Sequence, residues 1–368
     1  MRPPCGGYCF SSKKILASVK GKIVLDQKTT SNSPAHLEMT ASCACYLIAG
    51  IRKLNNMTSE NTNIKDAIGN TPMIELKKIV PDDSARIIAK LESTNPTGSM
   101  KDRMAKAVIE GAETKGFIKK GDTIVEYTAG TTGISLAFVC AALGYKFHAV
   151  FSDAFSNEKR ITMKAFGGQI TDVISDNKKI TEKLIKEMIE TSRKISEQEN
   201  HWWADQLNNH DAETGYYSLG DEIWKQTEGR VDAFVHAVST AHSIHGVTKS
   251  LLKHNNKLET FAVEPDESAV LSGRPSGSHK IEGIGIGFIP PLWQPEIVTE
   301  ILTVTTEEAM YMARRLAKEE GIFAGTSTGA NIVAALRVAE KLGSGKTVAT
   351  IIVDSGMRYI STPLYQSI

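Results

Sequence analysis

From about residue 63 onward, short apolar runs alternate with stretches whose apolar residues recur every three or four positions. ARIIAKLE (85–92), DTIVEYT (122–128), KFHAVFS (146–152), HWWAD (201–205), DAFVHAV (232–238), ETFAVEP (259–265) and TVATIIVD (347–354) predict strands. Between them the period becomes helical. The stretch after Ser99 places Met104, Ala107, Val108 and Ala112 on one face, and GISLAFVCAALG (133–144) is apolar all round, as a buried helix would be. Glu158 to Phe166 predicts another helix. KKITEKLIKEMIETSRKI (178–195) puts Ile180, Leu184, Met188 and Ile195 on one side and lysines on the other. Further helices follow Asp211, His242, Thr306 and Ser327. Such alternation predicts an α/β fold with mostly parallel sheets, helices on both faces, and functional groups at the carboxyl ends of strands. Residues 1–62 are rich in Ser, Thr and Asn without a sustained period, which predicts a disordered N-terminal extension.

With 43 basic and 42 acidic residues, the chain has no electrostatic footprint for nucleic acid or an anionic membrane surface. No apolar run reaches the ~18 residues that would span a bilayer. Of the five cysteines, only Cys140 lies in the body of the chain, so there is no disulfide framework, and a reducing compartment is expected. That favours the cytoplasm. Arg2, Lys13, Lys14, Lys20 and Lys22, with no acid among residues 1–25, keep a mitochondrial destination as the alternative.

The candidate chemistry starts at NPTGSMKDRMA (95–105), where one lysine, Lys101, stands at a turn becoming a helix. The positive end of a helix favours the neutral, nucleophilic amine. EYTAGTTG (126–133) and STAHS (239–243) both place small hydroxyl residues at a helix start, where unpaired N–H groups can meet an anion. His242 and His245 lack a third partner for a metal, and no metal is expected. GTSTG (325–329) has the G-x-S-x-G spacing of a hydrolase nucleophile elbow. That reading needs a histidine after the serine, and the last of the nine is His279. EGIGIGF (282–288) reads as a backbone wall that lets a ligand come close. Together these pieces suit a ligand with a phosphate, a polar ring and an electrophilic carbon: pyridoxal 5'-phosphate, with Lys101 forming the Schiff base, the second loop on the phosphate and Ser327 at the ring nitrogen.

From about Asp66 to Leu364 the sequence resembles the cysteine synthases, the O-acetylserine sulfhydrylases of pyridoxal-phosphate fold type II. IGNTPMIEL, KLESTNPTGSMKDRMA, LGDEIWKQTEGRVDAFV, AVEPDESAVLSGRPSGSHKIEGIGIGFIPP, EEGIFAGTSTGANIVAAL and DSGMRYIST carry the likeness, the fourth setting it apart from cystathionine β-synthases. The resemblance implies two domains, a larger cofactor-binding one (63–101 and 205–368) and a smaller mobile one (102–204), in a homodimer. It implies Lys101 as Schiff-base lysine and proton-abstracting base, Ser327 on the ring nitrogen, and Ser239, Thr240, Ala241, His242 and Ser243 on the phosphate. Thr131 would face the ring hydroxyl. Thr128, Ala129, Thr132 and Gln206 would grip the substrate carboxylate, and Gly283 would line the site. The implied reaction converts O-acetylserine and sulfide to cysteine; cyanide and thiols would add to the same intermediate. A partner's C-terminal peptide ending in isoleucine could enter the cleft, and this chain itself ends Ser367-Ile368.

Two loops depart from the family. Its phosphate loop reads Gly-Thr-Gly-Gly-Thr, against Ser239-Thr240-Ala241-His242-Ser243 here. A Cβ where a glycine takes positive φ costs ~1 kcal/mol or more, and a protonated His242 would offset part of the loss. Its carboxylate loop reads Thr-Ser-Gly-Asn-Thr-Gly, and here Ala129 and Thr131 replace Ser and Asn. These changes raise the alternative of a catalytically weakened relative acting as a binding or regulatory module.

Overall fold

A computed structural model of the chain describes residues 63–366; the N-terminal extension with its four cysteines, and Ser367-Ile368, fall outside the described residues. Among the described residues, ten strands form two sheets. The first takes β1 (Met73–Leu76), β2 (Arg86–Leu91), β7 (Ala233–Ala237), β8 (Glu259–Pro265), β9 (Glu300–Val304) and β10 (Thr347–Ile352), in the order β1-β2-β10-β7-β8-β9. Only β1 runs antiparallel to its neighbour. The second, wholly parallel, takes β3 (Thr123–Tyr127), β4 (Lys146–Ser152), β5 (Gln169–Val173) and β6 (His201–Trp203), in the order β5-β4-β3-β6. Every residue of the interior strands β7 and β10 is buried, as befits parallel strands covered on both faces.

The principal helices are α1 (Lys101–Thr114), α2 (Thr131–Leu143), α3 (Asn157–Ala165), α4 (Glu182–Ser196), α5 (Tyr217–Gln226), α6 (His242–Leu252), α7 (Thr306–Arg315) and α8 (Thr326–Leu342). In α2 every residue from Thr132 to Cys140 is buried, as its unbroken apolar character requires. The hydroxyl of Thr181 caps α4, which buries Leu184, Ile185 and Met188. Ile180, expected on that face, precedes the helix because the cap starts the first turn after it. The helix expected after Asp211 divides into one turn, Asp211–Thr214, and α5. Strands β1, β5 and β9 are not among the sequence expectations.

The apolar face expected for α1 holds for Met104, Val108 and Ala112, while Ala107 is only half-buried and the charged Asp102 and Arg103 are buried. Arg103 donates through Nε and Nη2 to Glu92 at 2.7 and 2.8 Å, and through Nη1 and Nη2 to Glu222 at 2.8 Å. Lys90 closes the network on Glu222 at 2.7 Å. Burial opposes the charge on Glu222, but Arg103 and Lys90 outweigh it and hold the carboxyl at about 2. Asp102 accepts from the N–H and hydroxyl of Thr97 at 2.8 and 2.5 Å and from Ser135 at 2.6 Å. The turn before α1 is fastened to the end of β10: Met100 N–H donates to Val353 C=O, and Ser355 N–H to Gly98 C=O, both at 3.0 Å.

Helices α7 and α8 meet at Gly329, where a Cβ would lie 1.9 Å from the carbonyl oxygen of Ala309. Gly329→Ala must push the two backbones apart, at about 1–3 kcal/mol. Urea unfolding should show a lower midpoint with an unchanged slope.

Candidate active site

Lys101 opens α1 at the carboxyl end of β10, where the hydrogen bonds just described bring the lysine turn. Among the described residues its amine has no ionic or hydrogen-bonding partner, and burial lowers it to about 8. Burial, and not the helix end, is what favours the neutral amine. Lys101 lines a cavity with Thr131, Ser239, Thr240 and Ser243, while Gly283 and Ser327 form other parts of its wall. Seven residues expected at the site from the sequence meet there. Thr128, Ala129, Thr132, Gln206, Ala241 and His242 lie behind or beside the cavity instead of on its lining.

At the phosphate loop, the N–H groups of Ser239 to Ile244 have no acceptor among the described residues; His245 N–H is the first bonded, to Ala241 C=O at 3.1 Å. Most of this segment is buried, and buried N–H groups without partners are rare unless a ligand takes them. The loop therefore fits an anion. Ala241 sits at φ +70°, so the left-handed turn is kept with a Cβ on it. The charge expected from His242 is not available. Burial, with help from Lys101, His245 and His210, lowers this imidazole to about 3. It is neutral at physiological pH, and its Nδ1 lies 3.0 Å from Thr240 Oγ1.

At the carboxylate loop, Thr128 accepts from the N–H groups of Gly130 (2.8 Å) and Gly133 (3.0 Å), so its hydroxyl shapes the loop. The N–H groups of Ala129, Thr131 and Thr132 are left without acceptors among the described residues. Thr132 donates to Gln206 Oε1 at 3.0 Å, and Gln206 Nε2 donates to Tyr127 C=O at 2.9 Å. Behind them lies Glu126, which accepts Gln206 N–H at 2.9 Å. Burial, with Asp205 nearby, raises its carboxyl to about 8, so it is largely protonated at neutral pH.

The rim was not expected from the sequence. Lys159 of α3 is buried and ion-paired with Glu282, and it stands 4.9 Å from the ring centre of Tyr359. The stem of Lys159 covers Gly130 so closely that a Cβ there would overlap it. Tyr359 donates to the buried Asp354 at 2.7 Å. Glu282 and Tyr359 also line a larger adjoining cavity of about 620 Å³. In sequence DSGMRY (354–359) carries only family likeness; nothing in its spacing marks Asp354 and Tyr359 as lining the same cavity as Lys101.

A family model described as pyridoxal-phosphate dependent enzyme matches residues 64–354. A cysteine synthase of Staphylococcus aureus is 44% identical over 305 residues, spanning 82% of this chain and 96% of its own. The crystal structure of O-acetyl serine sulfhydrylase isoform 3 from Entamoeba histolytica superposes with a TM-score of 0.77 at 38% identity, over 84% of this chain and 95% of that one. An O-ureido-L-serine synthase gives 0.79 at 34% identity, over 84% and 96%.

Two stability effects follow from this geometry. Ala241→Gly relieves the left-handed alanine and should raise unfolding free energy by about 1 kcal/mol in urea melts. Glu126 keeps in the folded state a proton that the unfolded chain releases from about 4.5 upward. Its contribution to stability is therefore complete below pH 4.5 and is lost as pH rises toward 8, at up to about 1.4 kcal/mol per unit. Glu126→Gln should flatten the dependence of stability on pH between 5.5 and 7.5 by about one proton.

Proposed function

The chain belongs to the pyridoxal-phosphate-dependent enzymes, and on that premise we propose that it makes L-cysteine from O-acetyl-L-serine and sulfide. The observation that carries the reading is the amine of Lys101, unpartnered among the described residues and lowered to about 8, on one cavity with Ser327 and the loop of unbonded N–H groups. The relatives named cysteine synthase and O-acetyl serine sulfhydrylase support the choice of substrates. Sulfide is the acceptor they favour over cyanide or a thiol.

The residues present fit the cofactor: its phosphate would go to the N–H groups of Ser239–Ile244 with the hydroxyls of Ser239, Thr240 and Ser243, and its ring between Thr131 and Ser327. When bound, pyridoxal phosphate supplies an electron sink that makes the α-hydrogen of an amino acid acidic. Lys101, with an amine near neutrality, can act as nucleophile and then take that proton on Nζ. Ser327 would meet the ring nitrogen with a neutral hydroxyl, which, unlike a carboxylate, would not hold a proton there, a setting that suits β-elimination. The free N–H groups of Ala129, Thr131 and Thr132, with the Thr132–Gln206 pair behind them, receive the substrate carboxylate. Lys159, Glu282 and Tyr359 close the rim against water.

The weakened binding module is the less favoured reading, because the relatives at 44% and 38% identity are named for the synthesis itself. We further propose that residues 102–204 move as a smaller lobe against 63–101 and 205–368, that the enzyme is a cytoplasmic homodimer, and that the larger cavity can admit the C-terminal peptide of a partner.

Full-length protein with pyridoxal phosphate should show a visible absorption band that shifts on adding O-acetylserine and returns with sulfide. Borohydride should then fix the cofactor to Lys101, and Lys101→Ala should abolish band and turnover alike. Fixation at another lysine, or a band that amino acids leave unmoved, would refute the assignment.

A further inference from the structure

The phosphate loop is backed by buried polar side chains, one of which, His236, also reaches the cavity lining. On β7, directly before the loop, His236 is buried with its Nε2 2.9 Å from Ser243 Oγ and its Nδ1 3.2 Å from Asn331 Nδ2. Asn331, buried on α8, cannot be turned round: its Oδ1 accepts Ala237 N–H at 2.8 Å and its Nδ2 donates to Ile351 C=O at 2.9 Å. The amide nitrogen is thus the atom that faces His236, and it can only donate. That makes Nδ1 of His236 an acceptor. Burial, with Lys101 nearby, lowers this imidazole to about 3, so the ring carries a single hydrogen, which must be on Nε2. Nε2–H therefore donates to Ser243 Oγ. Ser243 has only one hydrogen of its own, and with its oxygen engaged by His236, that hydrogen is left for another acceptor at the cavity.

We propose that Asn331 and His236 are positioning residues that aim the Ser243 hydroxyl at the cofactor's phosphate. The proposal rests on the cofactor reading above. His242 repeats the arrangement on Thr240. With Nδ1–H donating to Thr240 Oγ1, the buried Nε2 is left as an unpartnered acceptor, which costs less than an unpartnered donor. Two neutral imidazoles thus make up, by fixing the direction of hydroxyl donors, for the glycines expected from the family. His242→Gly should accordingly weaken phosphate binding, the reverse of what simple restoration of the family loop suggests.

The test uses the full-length chain stripped of cofactor and titrated with pyridoxal phosphate, with pyridoxal, and calorimetrically with inorganic phosphate. His236→Ala and Ser243→Ala should each weaken pyridoxal phosphate and inorganic phosphate about tenfold, as for one hydrogen bond to a charged group. Pyridoxal, which lacks the phosphate, should bind as before. The double variant should be no worse than either single one, because the histidine acts through the serine. His236→Gln, whose amide can still donate to Ser243, should recover most of the affinity. Multiplying effects in the double variant, or equal weakening of pyridoxal and its phosphate, would overturn the relay. Failure of aldehyde fixation at Lys101 while the inorganic-phosphate pattern holds would instead sink the cofactor reading and leave the relay standing.

Discussion

The site depends on a cluster of four charges beneath the first helix, three of them buried and the fourth, Glu222, half-buried. Arg103 is clamped between Glu92 and Glu222, and Lys90 balances the second carboxylate. Charges removed from water tolerate little displacement, because losing any one partner strands another in a medium that cannot solvate it. The cluster therefore fixes the helix both along and about its axis. Two residues earlier in the same helix, Lys101 inherits that precision, while the backbone bonds to Val353 and from Ser355 hold the turn in front of it. A lysine so placed can remain unpartnered because its neighbours, and not its own amine, determine where it stands.

Interior strands were legible as continuous apolar runs because parallel strands are buried on both faces. The three that escaped, β1, β5 and β9, all lie at the edges of their sheets. QITDV has one fully buried residue in five, and EILTV likewise. An edge strand needs little apolar character, and so it reads as a loop. The buried Asp102 and Arg103 broke the helical pattern for the opposite reason. Their charges are satisfied by residues up to 119 positions away, which no local window can see.

Of the site, Lys101, Ser327 and the two hydroxyl-rich loops were legible because each combines a turn, a helix start and an unusual residue. The protonation states were not. A histidine at a helix entrance suggested positive charge beside an anion, yet burial decides the matter against protonation. Asn331 and His236 look like ordinary core polar residues in sequence, and only their crossing of two elements, α8 and β7, gives them a direction. Where the family has glycines that bare the backbone, this loop carries hydroxyls, two of which are hydrogen-bonded to buried histidines.

The pair formed by Lys159 and Glu282 ties two stretches of chain, far apart in sequence, over the start of α2. The stem of Lys159 lies on the backbone of Gly130, and its ammonium is held out of water against Glu282 and Tyr359. Loss of that one carboxylate would strand the ammonium, so residue 282 governs the footing of a loop to which it is not itself joined.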